Sequence, residues 1–225
     1  MRTSCLGAAT MEQAAGEVVH RLFVDFSGPG DAAECVLVRF YLTVPYAELD
    51  AGRQDFARGV LGDTAPWPEL PCLTLLASAG VEPAWNDAAL SQHHRAIPLP
   101  SPETVAKSPM IAQLLSQLGL ELSSLLSPDP EVIIDLDQRQ YNVFHVAEAV
   151  GSPYVPAQAD FVVPYGVRSA VGFGGMLPSG EMFALVLFSR VPISRATADL
   201  LRTIALNVKV AILPLVGRTF VAPPA

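Results

Sequence analysis

An α+β fold, an antiparallel sheet with helices packed against one of its faces, is what this sequence predicts. Three observations lead there. Apolar positions recur at helical spacing near both ends of the chain, and runs of branched and aromatic residues fill the middle. The stretch "YGVRSAVGFGGMLPSGEMFALVLFS", residues 165–189, reads as two apolar strands around a Pro-Ser-Gly turn, a β-hairpin.

Each element follows from local pattern. Ala15, Val18, Val19, Leu22, Phe23 and Phe26 recur at spacings of three and four, which predicts a first helix within residues 10–27. "SGPGD" stops it, because Pro29 and two glycines do not continue a helix interior. "ECVLVRFYLTV" is a strand whose only internal charge is Arg39, and "ELDAGRQDFARGVLG" is a short helix ending at Gly62. "PCLTLLASAG" is a second strand, and "HHRAIPLP" a third that its prolines confine to an edge. A helix opens at Ser101 as N-cap with Pro102 in its first turn, and carries a stripe of Met110, Ile111, Leu114, Leu115 and Leu118. Val132 to Leu136 has strand character within a long excursion that reaches Val163, a kind of loop that often forms a binding lid. A last helix over residues 194–213 starts at Ser194 and ends before Pro214, leaving a tail over 214–225. The organisation is one domain over 1–225, with the sheet, its inserted helices and the excursion between 35 and 189.

Composition narrows function. Half of the 225 residues are apolar and 16% are charged, enough apolar matter for a substantial core. A net charge of −8, with 14 scattered Lys and Arg, argues against nucleic acid and against a membrane surface. No run reaches the roughly 18 apolar residues that span a bilayer, and no convincing signal peptide opens the chain. Three cysteines, Cys5, Cys35 and Cys72, form no CxxC pair, which fits reduced thiols in a cytoplasm.

The glycines at 172, 174 and 175 are not a phosphate loop. No Lys follows them, the third glycine of a dinucleotide fingerprint is missing, and a strand comes next where a helix N-terminus is needed. Glycines inside a strand mark a bulge or a close approach by a ligand or another backbone. This reading leaves their face of the sheet open.

The Gly-x-Arg-Ser opening, the apolar strand, the glycine-containing turn, the second apolar strand and the closing amphipathic helix of residues 165–212 together resemble the C-terminal half of a GAF domain. "CVLVRFYLTVPY" and "PCLTLLASAG" match the family's first strands more loosely, as does the opening helix. The likeness extends to sensor segments that precede bacterial histidine kinases and cyclases. It implies a sheet of about six strands, a ligand pocket on one face, and first and last helices on the other. It also implies a non-catalytic sensory role in signal transduction, with a kinase or cyclase as output module. Family members bind cyclic nucleotides, haem, bilins or small anions, and fold alone does not choose among them.

Specific chemistry is sparse. His93 and His94 are adjacent and, in a strand, point to opposite faces, so they cannot share one metal; Cys72 is too isolated to complete a zinc set. Asp129, Glu131, Asp135 and Asp137 lack the glycine and terminal Glu of a calcium loop. No nucleophile elbow occurs, and Cys35 and Cys72 sit in apolar strands as inert thiols; an enzyme reading rests only on a Cys/His site assembled in space. His145, within "YNVFHVAEAV", is the one candidate for a haem ligand and reads better as a hydrogen-bonded structural residue, while the bilin signature is missing. The cofactor is left open, with haem and bilin disfavoured and no metal expected.

Seven residues remain as pocket candidates, a mixture of apolar and polar groups typical of small-molecule sites. Tyr141, Asn142, His145 and Tyr154 come from the excursion, and Arg168, Ser169 and Phe173 from the strand after it. Arg168 offers a bidentate hold on an anion, against the alternative that it pairs with a neighbouring carboxylate. Arg168 and Phe173 share a face only where strand alternation is broken near Gly172. On the last helix, Leu201, Ile204, Val208 and Ala211, widened by Leu200, Ala205 and Ile212, exceed what one sheet contact requires. That width predicts a homodimer through the terminal helices, with a ligand-free dimerisation module as the competing reading.

Overall fold

A computed structural model describes residues 7–29, 33–91, 93–120, 126 and 142–220. Its elements are α1 (Met11–Phe26), β1 (Cys35–Pro45), α2 (Ala51–Leu61), β2 (Pro71–Gly80), β3 (Ala96–Pro98), α3 (Pro102–Ala106), α4 (Pro109–Leu118), β4 (Val143–Val146), β5 (Ser169–Met176), β6 (Met182–Ser189), α5 (Arg195–Asp199) and α6 (Leu201–Ile212). The six strands form one sheet in the order β3-β2-β1-β6-β5-β4, every neighbouring pair antiparallel. The fold is α+β, as the pattern of elements requires.

Local chemistry sets the boundaries. The Thr10 hydroxyl accepts from the Gln13 N–H at the start of α1, and Asp50 does the same for Arg53 at the start of α2. The helix expected from Ser101 onward is two helices. Ser108, before Pro109, has φ −110° and ψ 88°, because the proline ring disfavours helical backbone in the residue ahead of it. Gly119, at φ 71°, closes α4 in the left-handed conformation that glycine tolerates. The third strand contracts to three residues, and the excursion contributes β4, an edge strand that the sequence reading had not separated. The expected strand at 132–136 lies outside the described residues.

The sheet has two buried faces. On one, α1 and α6 lay Val18, Val19, Leu22, Leu201, Ala205, Val208 and Ile212 over Val38, Phe40, Val171, Phe173, Phe183 and Leu185. On the other, α4 contributes Ile111, Leu114, Leu115 and Leu118, which pack with Tyr41, Leu75, Phe144, Met182, Ala184 and Val186. The wide stripe on α6 therefore belongs largely to the chain's own core. Leu201 and Val208 are 7% and 0% exposed, so they are not the outer seam expected of them.

The glycines of β5 are explained by the same packing. A Cβ on Gly172 would stand 2.5 Å from the Leu185 carbonyl oxygen, and one on Gly174 would strike the Phe183 carbonyl oxygen. The Gly174 position also faces Leu118 of α4, 3.0 Å from where its Cβ would sit. The close approach is by the neighbouring strand and by a helix. The face expected to stay open at these glycines is closed by α4.

Candidate functional site

The seven residues singled out from sequence occupy different surroundings. Tyr141 lies outside the described residues. The register of β5 against β4 and β6 runs without a shift, so Phe173 alternates with Gly172 and is buried beneath the terminal helices. Ser169 is fully buried, and its hydroxyl donates to the Val191 carbonyl at 2.7 Å. His145 lies in β4, with its ring Nε2 2.7 Å from the Ile193 carbonyl oxygen and its backbone held from both sides by the Gln117 amide. It anchors the edge strand to the segment before α5, in keeping with the structural reading. Asn142 is half-buried beside Gly119, and Tyr154 and Arg168 are exposed. These side chains do not converge on a common point.

The thiols are equally committed to structure. Cys35 and Cys72 are fully buried, and burial pushes both up to about 12, which leaves almost no thiolate near neutral pH. Among the described residues, no group of three His, Cys, Asp or Glu side chains is placed to hold a metal ion, and no helix is long and apolar enough to cross a membrane.

A different cluster stands out, at the β1–β2 end of the face that α4 covers. Arg39, the lone charge of β1, is half-buried there, directly across from Ser78 in the register of the two strands. Its terminal nitrogens reach the Tyr41 hydroxyl at 3.5 Å and the Ser91 hydroxyl at 3.4 Å, both at the outer limit of a hydrogen bond. The Arg39 Nε and the Ser78 Oγ are buried and have no hydrogen-bond partner among the described residues, a state shared elsewhere by the Glu17 Oε2 and the Tyr46 hydroxyl. Sequence carried one signal of this site, a single guanidinium inside an eleven-residue apolar strand. It carried no signal for Ser78, which one extra residue in the ladder re-aims. Phe40 pairs with Ala77 and Tyr41 with Leu75, so Leu76 is bulged. Without that residue Ser78 would share the face of Cys72, beneath the terminal helices.

A solvent-open trough of about 570 Å³ runs along the outer edge of β2, where β3 no longer pairs. Glu12, His20, Arg53 and Asn86 border it together with Leu76 to Ala79. Its cation is already satisfied. Arg53 pairs with Glu12 at 2.8 Å and Asp50 at 2.7 Å, and stacks 4.6 Å from the centre of the Phe220 ring. The Asp50 carboxyl is held below its ordinary value, hydrogen bonds and charge from Arg53 outweighing the opposing effect of partial burial.

No protein-family model and no curated protein sequence matches the chain. The chemistry of the site thus stands on geometry alone.

Proposed function

We propose that the chain is a GAF-like sensory domain that binds a small molecule and is not itself a catalyst. One observation carries the reading. An otherwise apolar sheet face holds a half-buried cation, Arg39, whose Nε has no hydrogen-bond partner among the described residues, and the buried Ser78 hydroxyl, which has none there either. Stability alone gives no reason for such a pair, since unsatisfied buried polar groups cost about 1–3 kcal/mol each. A ligand that completes their hydrogen bonds does. The α+β architecture and the antiparallel sheet between two helical layers are compatible with the sensory family that residues 165–212 resemble, and a kinase or cyclase output module fits that family role. The resemblance and the sequence composition also favour a cytoplasmic setting.

A second reading has its own observation. Leu206 and Val210, one helical turn apart on the outer side of α6, are 48% and 38% exposed, and Leu200 just before the helix is 71% exposed. This row, in place of Leu201 and Val208, is the seam through which a homodimer would form, with or without a ligand.

Native mass spectrometry of freshly purified protein tests the binding reading. A retained small-molecule adduct, lost on denaturation, is the expected result. A clean apo mass together with no thermal stabilisation by any compound of a metabolite library overturns it and leaves the dimerisation module.

A further inference from the structure

Arg39 of β1 and Arg53 of α2 contrast in completion. Arg53 has two carboxylates, the Leu75 carbonyl and an aromatic face around it. Arg39 has no carboxylate within ion-pair distance among the described residues, and of its five N–H groups only two make contacts, both loose. A half-buried guanidinium without a counterion is costly. Three further groups point at the same place. Tyr41 shares its strand and face, Ser78 lies opposite with cross-strand Cβ atoms about 4.5–5.5 Å apart, and Ser91, whose hydroxyl donates to the His93 carbonyl at 2.6 Å, reaches in from the loop before β3. Ser78 is 8% exposed with its Oγ unpartnered, and the Leu76 bulge is what turns it toward Arg39.

From this convergence we infer that Arg39, Ser78, Tyr41 and Ser91 form a binding site for a small oxyanion, the carboxylate or phosphate group of a metabolite. The guanidinium supplies a planar fork with its Nε–H, which matches two oxygens of one anionic group. The Ser78 hydroxyl donates a further hydrogen bond from the opposite strand. Size is limited from one side. Two residues along β2, a Cβ at Gly80 would stand 2.9 Å from the Trp85 ring and 3.0 Å from Leu37, so the apolar wall there is already tight.

The inference rests on the binding reading above and names its ligand class. The test is thermal unfolding of the desalted full chain at constant ionic strength, with sodium acetate, sodium phosphate or sodium chloride as titrant. Acetate or phosphate is expected to raise the midpoint saturably, by roughly 5–10 °C at a hundredfold excess over Kd, while chloride does not. The stronger of the two tells carboxylate from phosphate. Arg39→Gln is expected to abolish the response, because it removes the guanidinium fork. Ser78→Ala, which deletes a single hydroxyl, is expected to weaken binding roughly tenfold and keeps the test open even where Arg39→Gln folds poorly. A response to both anions no greater than to chloride, or a full response retained in either variant, overturns the inference. If native mass spectrometry still finds an uncharged adduct in that case, the sensory reading survives and only the oxyanion assignment falls.

Discussion

The two faces of this sheet are built from the same six strands and come out chemically unlike. Under α1 and α6 the polar side chains of the strands are paired: Ser169 donates to Val191, Thr74 to the Cys72 carbonyl at 2.9 Å, and Phe40 and Phe183 stack 6.1 Å apart, although Tyr46, packed against this core, keeps a buried hydroxyl without a partner among the described residues. Under α4 the β5–β6 end is equally dense, with Leu118 against Gly174, but the β1–β2 end keeps a cation and a hydroxyl unsatisfied. The contrast separates two uses of burial. Paired polar groups burden a buried face little, whereas converging unpaired ones are what the proposed ligand would complete.

The largest break of this comparison is a charge forced under the terminal helices. Val208→Glu, at a fully buried position, is expected to cost more than about 4 kcal/mol and to unfold the domain. Leu206→Glu, two residues earlier on the outer side, is expected to stay within about 0.5 kcal/mol for the monomer while dissociating any homodimer. Chemical denaturation and light scattering on both variants read the two effects. A folded Val208→Glu protein would mean that α6 does not cover this face as described. A smaller effect belongs to the α4 face. Gly174→Ala pushes a methyl into the Phe183 carbonyl and Leu118, with an expected loss of about 1–3 kcal/mol in urea unfolding. Wild-type stability in that variant would remove the helix contact as the reason for the glycine.

An effect that appears only at alkaline pH returns to the helix-covered face, through its thiols. Cys35 and Cys72 hold their protons up to about 12 when folded and release them near 9 when unfolded. Between those values the folded state binds more protons, so stability falls as pH rises, by up to about 1.4 kcal/mol per unit for each thiol. Their contribution is fully present below pH 9. Urea unfolding from pH 8 to 10 is expected to show a decline that becomes shallower when both cysteines are replaced by alanine; equal slopes in the two proteins would place the thiols in contact with solvent.

How far sequence reached depends on whether a feature is periodic. α1, β1, β2 and the β5–β6 hairpin were legible because each repeats a local pattern over eight residues or more. β4 was not, since four residues at an edge carry too little alternation to stand out from the excursion around them. The division between α3 and α4 is written in Pro109, but the helical spacing of the apolar stripe after it masks the break. Phe173 and Arg168 fell on opposite sides of strict alternation because β5 has no bulge. Arg39 is visible in sequence as the one charge of β1, but nothing in the strand itself names the groups it faces. Ser78 was invisible, because the bulge that aims it is a property of the pairing of two strands and has no signature in either strand alone.

The segment after α6 has a mechanical consequence. The carbonyls of Arg218 and Thr219 accept from the Met11 and Glu12 N–H groups at 2.8 and 3.0 Å, and Phe220 lies against Arg53, which also grips Glu12. The first turn of α1 is therefore held by chain from the far end of the sequence. Tension applied at residue 220 reaches α1 before it reaches any strand, and slackening of that latch frees two helix donors and one arginine face together. Arg53 of α2 thus ties the first turn of α1 and Phe220 into one clasp.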